Sequence, residues 1–180
     1  EPSTNEKKSN WIIKLSQLDL NANSFSYDNN NDTVLAKGMD YSHLKLYNIY
    51  VDCEDIHVTP EKISLALNDL RLKENKGFVL KKFTTRLTYD KTHIELDKLD
   101  LQTDKSKIGP HLGISYKSIA SIKDSIGELH TAINLQSTVI AVSDILQFKP
   151  DLLDNPNINL SPSTLVKLNC KLTGTVDDLL

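Results

Sequence analysis

The stretch Ile63–Leu72, Ile-Ser-Leu-Ala-Leu-Asn-Asp-Leu-Arg-Leu, constrains the fold more than any other part of the chain. Leu65 and Leu67 alternate with small or polar residues, Asn68 and Asp69 interrupt, and Leu70 and Leu72 resume the alternation. The same apolar-x-apolar-x-x-apolar-x-apolar unit recurs at Ile13-Leu15-Leu18-Leu20, Leu44-Leu46-Ile49-Val51 and Ile94-Leu96-Leu99-Leu101. Alternation with a period of two marks a strand with one buried face. On a helix, apolar residues at i, i+2, i+5 and i+7 would scatter around the wheel instead of forming a stripe.

The doubled gap is the informative part. In a flat strand, one extra residue sends every following side chain to the other face. A β-bulge or tight corner absorbs that residue and keeps both apolar pairs on one side. The gap residues Ser16-Gln17, Tyr47-Asn48, Asn68-Asp69 and Asp97-Lys98 suit such a corner, since Asn and Asp tolerate bent backbone. Each unit therefore reads as strand, bend, strand, with its apolar side chains on the concave side. The alternative is an ordinary strand crossing between two packed sheets.

At 180 residues the chain is long enough for one domain with a core. No run approaches a membrane-spanning length, and mean hydropathy is −0.33. The polar opening, residues 1–10, reads as a disordered lead-in, and residues 11–180 as a single repeat domain. Both ends look like cuts in a longer polypeptide. A net charge of −3, from well-mixed acids and bases, argues against nucleic-acid binding. Cys53 and Cys170 lie far apart, without metal spacing, and read as small buried apolar residues.

Short turns join the strands and imply an antiparallel meander. Asp28–Asp32 lacks the Gly and Glu of a calcium loop, with Thr33 and Met39 in their places. Phe78-Leu80-Phe83, followed by Thr85, Leu87 and Tyr89, is a looser copy of the unit, and Ile133-Leu135-Thr138-Ile140 a degraded one. Thr103–Gly113 reads as a charged loop and Ile114–Ile126 as a short strand followed by a loop. A short helix is expected near residues 143–149, with Ser143 as N-cap and Pro150 at its end. Asp154–Asn157 reads as a loop, and Ile158–Leu160 and Val166–Leu172 as further strands. The expected fold is all-β: an elongated, curved antiparallel sheet, groove-like, with an apolar concave face and one short helix.

Catalytic signatures are missing. The five histidines have no metal-ligand spacing, and His57 and His93 fall on the outer, polar parity of their strands. No nucleophile elbow, P-loop or dinucleotide fingerprint occurs. Scattered carboxylates and 6% aromatic residues do not suit a glycosidase. The expectation is a protein that is not an enzyme, with no cofactor and no metal. What remains is the apolar face. Its candidate lining is Leu15, Leu18, Leu20, Leu44, Leu46, Ile49, Val51, Leu65, Leu67, Leu70, Leu72, Phe78, Leu80, Phe83, Leu87, Ile94, Leu96, Leu99 and Leu101. These residues either form a filled core or line a groove suited to acyl chains.

Three stretches carry a family resemblance: Trp11–Leu20 with Phe25–Asp28, Ser137–Leu152, and Lys171–Leu179. The first is similar to the opening strand of the repeats in the TamB branch of AsmA-like envelope proteins. The second resembles that branch's D-L-L-x-F-x-P-x-L segment, and the third its G-x-(V/L)-x-D-L punctuation. The resemblance implies a β-taco segment in the periplasm, within a parent protein anchored in the inner membrane. It also implies phospholipid acyl chains as cargo, with an outer-membrane barrel as the partner of some members. The asparagine- and lysine-rich, glycine-poor composition departs from that of the proteobacterial members. The rival expectation is a protein-interaction scaffold that assists outer-membrane or surface protein assembly by strand addition. In either case exposed sheet edges could pair with a further chain.

Overall fold

The structure, a computed structural model, describes residues 10–118, 126–154 and 160–179. Its strands are β1 (Ile13–Asp28), β2 (His43–Val58), β3 (Lys62–Glu74), β4 (Val79–Asp90), β5 (His93–Thr103), β6 (Lys107–Ile108), β7 (Pro110–Ser115), β8 (His130–Ala141) and β9 (Leu165–Thr175). They join one nine-stranded antiparallel sheet. β6 and β7 each pair with both β5 and β8, so they act as one strand interrupted at Gly109–Pro110. Across the sheet the order is β1, β2, β3, β4, β5, β6 with β7, β8 and β9. Among the described residues the strands do not divide into two packed sheets, so the meander forms and the sandwich alternative does not.

The register explains the doubled gaps. Between β2 and β3, Asp52 faces Asp69 while Cys53 faces Leu67, which leaves Asn68 as an extra residue. Between β4 and β5, Thr84 faces Asp100 and Arg86 faces Asp97, a shift that spans Lys98. A shift between Tyr47 and Tyr50 spans Asn48, and one between Leu135 and Thr138 spans Ser137. Asn48, Lys98 and Ser137 all have φ near +52°, the left-handed region that tightens a bulge. Ala22 and Asp55 share that conformation. In β1 the bend differs from expectation. Leu15 faces Ile56 and Gln17 faces Glu54 with no shift, and the shift comes later, between Leu20 and Asn23 across Ala22. Ser16 stands opposite Asp55, so an extra residue on each strand cancels out.

Because the bulges absorb the extra residues, one apolar face is continuous. Leu65 faces Leu87, Leu87 faces Leu96, Leu96 faces Leu112, Leu112 faces Ile133 and Ile133 faces Leu172. A second rung runs Ile13, Val58, Ile63, Tyr89, Ile94 and Ile114. Direct cross-strand pairs of this kind are the stabilising unit of a sheet. Two threonines interrupt the rows usefully. Thr85 Oγ1 donates to the Asp97 carbonyl at 2.9 Å, beside the Lys98 bulge, and Thr138 Oγ1 donates to the Gly109 carbonyl at 3.1 Å. The Gly109 carbonyl also accepts from the Gln136 amide at 3.0 Å, so Thr138 adds a second bond there.

The fully buried apolar set among the described residues is small: Cys53, Ile56, Leu80, Leu99, Tyr116, Leu129, Leu135, Ala141 and Val142. One part of it lies where the helix α1 (Val142–Phe148) closes an end of the sheet. The expected helix is therefore present, one residue early, but Ser143 is not its cap. Ala141 occupies the N-cap position without a side-chain bond. Its amide donates to Ser106 Oγ at 2.9 Å and the Val142 amide donates to the Thr164 carbonyl, so tertiary partners replace a local cap.

Three other segments differ from expectation. Thr103–Gly113 is not a loop, since it contains β6 and the start of β7. Both are too short to show a period by themselves, and pairing with β5 and β8 makes them strands. Asp154 belongs to the 3-10 turn Pro150–Asp154, and Leu160 is not in a strand. Residues 1–9, 119–125, 155–159 and 180 lie outside the described set, and with them the rest of the readings for the lead-in, the loop after Ile114, the loop 155–157 and the strand at 158–159. The segment Val176–Leu179 forms a last short helix, α2.

Candidate apolar groove

The nineteen candidate lining residues fall on the one apolar parity of β1 to β5, with Phe78 in the turn just before β4. Their exposure grades across the sheet. Leu15, Leu18 and Leu20, on the outermost strand, are 46%, 40% and 38% exposed. Leu80 and Leu99 are buried. Leu44, Leu46, Ile49, Val51, Leu65, Leu67, Leu70, Leu72, Phe78, Phe83, Leu87, Ile94, Leu96 and Leu101 are half-buried. A filled core would bury most of them, as close packing leaves little room. The face is covered near α1 and open toward β1.

The lining also extends further than the repeats indicate. Leu112, Ile133 and Leu172 complete the Leu65 rung from β7, β8 and β9. Ile133 was visible as part of a degraded copy. Leu112 carries no repeat signal, because the Gly109–Pro110 interruption hides the strand that holds it.

One end of the face is closed. Helix α1 leaves β8 and crosses toward the β2 to β4 side. The Met39 amide donates to the Gln147 carbonyl at 2.6 Å, and the Phe148 ring meets Phe78 edge-on with centroids 5.1 Å apart. At the start of the helix, Asp144 accepts hydrogen bonds from Thr103 Oγ1 and Ser106 Oγ, both at 2.5 Å. Gly38, with φ +74°, lies against Pro150, and a Cβ there would come within 2.9 Å of the Pro150 Cγ. The helix is thus tied to the β5–β6 turn at one end and to the β1–β2 connection at the other. Because those anchor points belong to strands that are not neighbours, the sheet curls to bring them within reach of one short helix.

Beneath this closure sits Asp40, only 1% exposed. Burial acts to raise its pKa, but the Leu35 amide, His43 and Lys76 outweigh that and hold the carboxyl down at about 2. The Leu35 amide donates at 2.8 Å, Lys76 Nζ approaches at 3.3 Å and His43 Nδ1 at 3.2 Å. Lys76 Nζ also donates to the Leu35 carbonyl at 2.6 Å. Glu74, on the parity of the apolar row, is buried as well. One carboxylate oxygen accepts from the Lys76 amide at 2.8 Å and the other has no partner.

The remaining reactive groups assemble nothing further. Cys53 and Cys170 are free thiols. Cys53 is buried as expected, and burial, with Asp52 and Glu54 beside it, pushes its thiol pKa up. Cys170 is only half-buried, because it lies near the outer edge of the sheet. His57 and His93 lie on the outer parity, but neither is simply solvated. His57 Nε2 is buried without a partner, and His93 Nδ1 pairs with Ser115 Oγ at 2.9 Å. Among the described residues, no cluster of three or more His, Cys, Asp or Glu could hold a metal, and no helix is long and apolar enough to cross a membrane. Comparison of the chain with protein-family models, curated proteins and solved structures finds no match to any of them.

Proposed function

We propose that this chain is a segment of a lipid-transfer conduit, with phospholipid acyl chains lying along the apolar face and head groups in water. The observation that carries the reading is the pairing of continuous apolar rungs with incomplete coverage. Leu65, Leu87, Leu96, Leu112, Ile133 and Leu172 line up across six strands, yet the lining stays half-open. Acyl chains would bury that surface at about 25 cal/mol per Å² of apolar area. The resemblance to TamB-like proteins supports the same use and a place in the periplasm, within a parent anchored in the inner membrane.

Organic extraction of the purified chain, followed by mass spectrometry, should recover phospholipid. Leu96→Asp and Leu70→Asp should reduce binding of a fluorescent phospholipid at least tenfold while the β circular dichroism persists. A lipid-free extract together with no binding by the unaltered chain overturns the proposal. The rival reading, a scaffold that recruits a client strand, is favoured by one observation: β1 is exposed, and among the described residues its outer edge pairs with nothing. It predicts cross-links from a client to β1 and no recovered lipid.

A further inference from the structure

β1 is sixteen residues long and exposed along its whole length. It is an end strand of the sheet, and among the described residues its outer side pairs with nothing. At about 3.3 Å per residue this open edge runs roughly 50 Å. Its apolar row, Ile13, Leu15, Leu18, Leu20, Phe25 and Tyr27, is exposed throughout, as is Trp11 two residues before it. With about 200 Å² per large apolar side chain, half of it open, that row leaves roughly 600 Å² in water, the upper limit for a monomer.

The spacing of the row carries the inference. Read outward from Asp19, the spacing is the same in both directions, with one polar member, Asn23, opposite Leu15: Leu18 and Leu20, then a two-residue gap, then Leu15 and Asn23, Ile13 and Phe25, Trp11 and Tyr27. One gap holds Ser16 and Gln17, and the other holds Asn21 and Ala22. These are the places where β1 departs from plain pairing, at the Ser16–Asp55 crossing and at the Ala22 bulge. An antiparallel strand directly opposite β1 must present its apolar residues in reversed order on the same face. A second copy of β1 does so in one register, with gap against gap.

We propose that the chain forms a twofold dimer through β1, with Asp19 on the axis and Leu18 of each copy facing Leu20 of the other. Ile13 then faces Phe25, and Trp11 faces Tyr27. The two sheets become one, and their apolar faces join on the same side. The edge has few of the charges that block such pairing: Lys14, Asp19 and Asp28. The other sheet edge matches poorly. The apolar row of β9, Val166, Leu168, Cys170 and Leu172, has no doubled gap, so both gaps of β1 would go unmatched. Edge pairing of this kind covers the flanks of the row and adds backbone hydrogen bonds along the strand, and it leaves the joined apolar face open. The close Asp19 pair opposes association, because like charges directly opposite destabilise a sheet.

Sedimentation of the chain should show a monomer–dimer equilibrium that is independent of lipid. Asp19→Asn should tighten it severalfold, and Leu18→Lys with Leu20→Lys should leave a monomer. In a Cys170→Ser background, Asp19→Cys should oxidise to a disulfide-linked dimer, as opposed residues lie about 4.5–5.5 Å apart between Cα atoms. Lys14→Cys, which faces Ser24 in this register, should not. A monomer at all accessible concentrations overturns the dimer. Equal cross-linking at positions 14 and 19 overturns the register. Neither result bears on whether the groove holds lipid.

Discussion

At the scale of single residues, the fold depends on side chains that occupy awkward backbone positions. Lys98 and Ser137 hold left-handed conformations that cost a non-glycine residue about 1–2 kcal/mol. Lys98→Gly should therefore raise stability, by up to about 1 kcal/mol in urea denaturation. Thr85→Val should do the opposite. It removes the donor to the Asp97 carbonyl, and loss of one intramolecular hydrogen bond costs about 0.5–1.5 kcal/mol. Unchanged stability in Thr85→Val would show that water, and not Thr85, serves that carbonyl. The bend residues were legible as gaps in a pattern, most clearly at Asn48, Asn68 and Lys98. Ala22 was not, because alanine gives no turn signal and the compensation between Ser16 and Asp55 depends on the neighbouring strand.

At the scale of elements, α1 is the decisive piece. Seven residues are too few to hold a helix by propensity, so its position comes from what grips its two ends. The Asp40 cluster supports the far grip, and its protonation gives a pH test. A carboxyl held below its ordinary value adds stability above about pH 4, and that contribution fades as pH falls through about 2. Hydrogen exchange at the Met39 amide, which donates to Gln147, should therefore speed up between pH 4 and pH 2, beyond the intrinsic pH effect. Asp40→Asn should start from the faster, loosened state and lose that acid step. If the unaltered chain shows no such step, Asp40 does not secure the closure. The sequence indicated a helix ending at Pro150. Its partners Thr103, Ser106 and Met39 are distant in the chain, so nothing local announced them.

At the scale of the whole molecule, a single sheet with few buried residues should respond unevenly to charge. Leu96 is half-buried and Leu99 is buried, three residues along the same strand. Leu96→Asp should cost about 1–2 kcal/mol, because its carboxylate can reach water across the open face. Leu99→Asp should cost about 4 kcal/mol or more, as an uncompensated buried charge does. Equal losses at the two positions would mean that the face is a closed core. The sequence by itself determined the long strands β1 to β5, the antiparallel meander and the shared parity of the apolar residues. Those follow from a period of two and from short turns, both local properties. Tertiary structure alone decided that the strands join one sheet, that β6 and β7 belong to it, and that α1 closes one end while the lining on β1 stays exposed. Each of these depends on pairing partners and burial, which a pattern along one strand cannot specify.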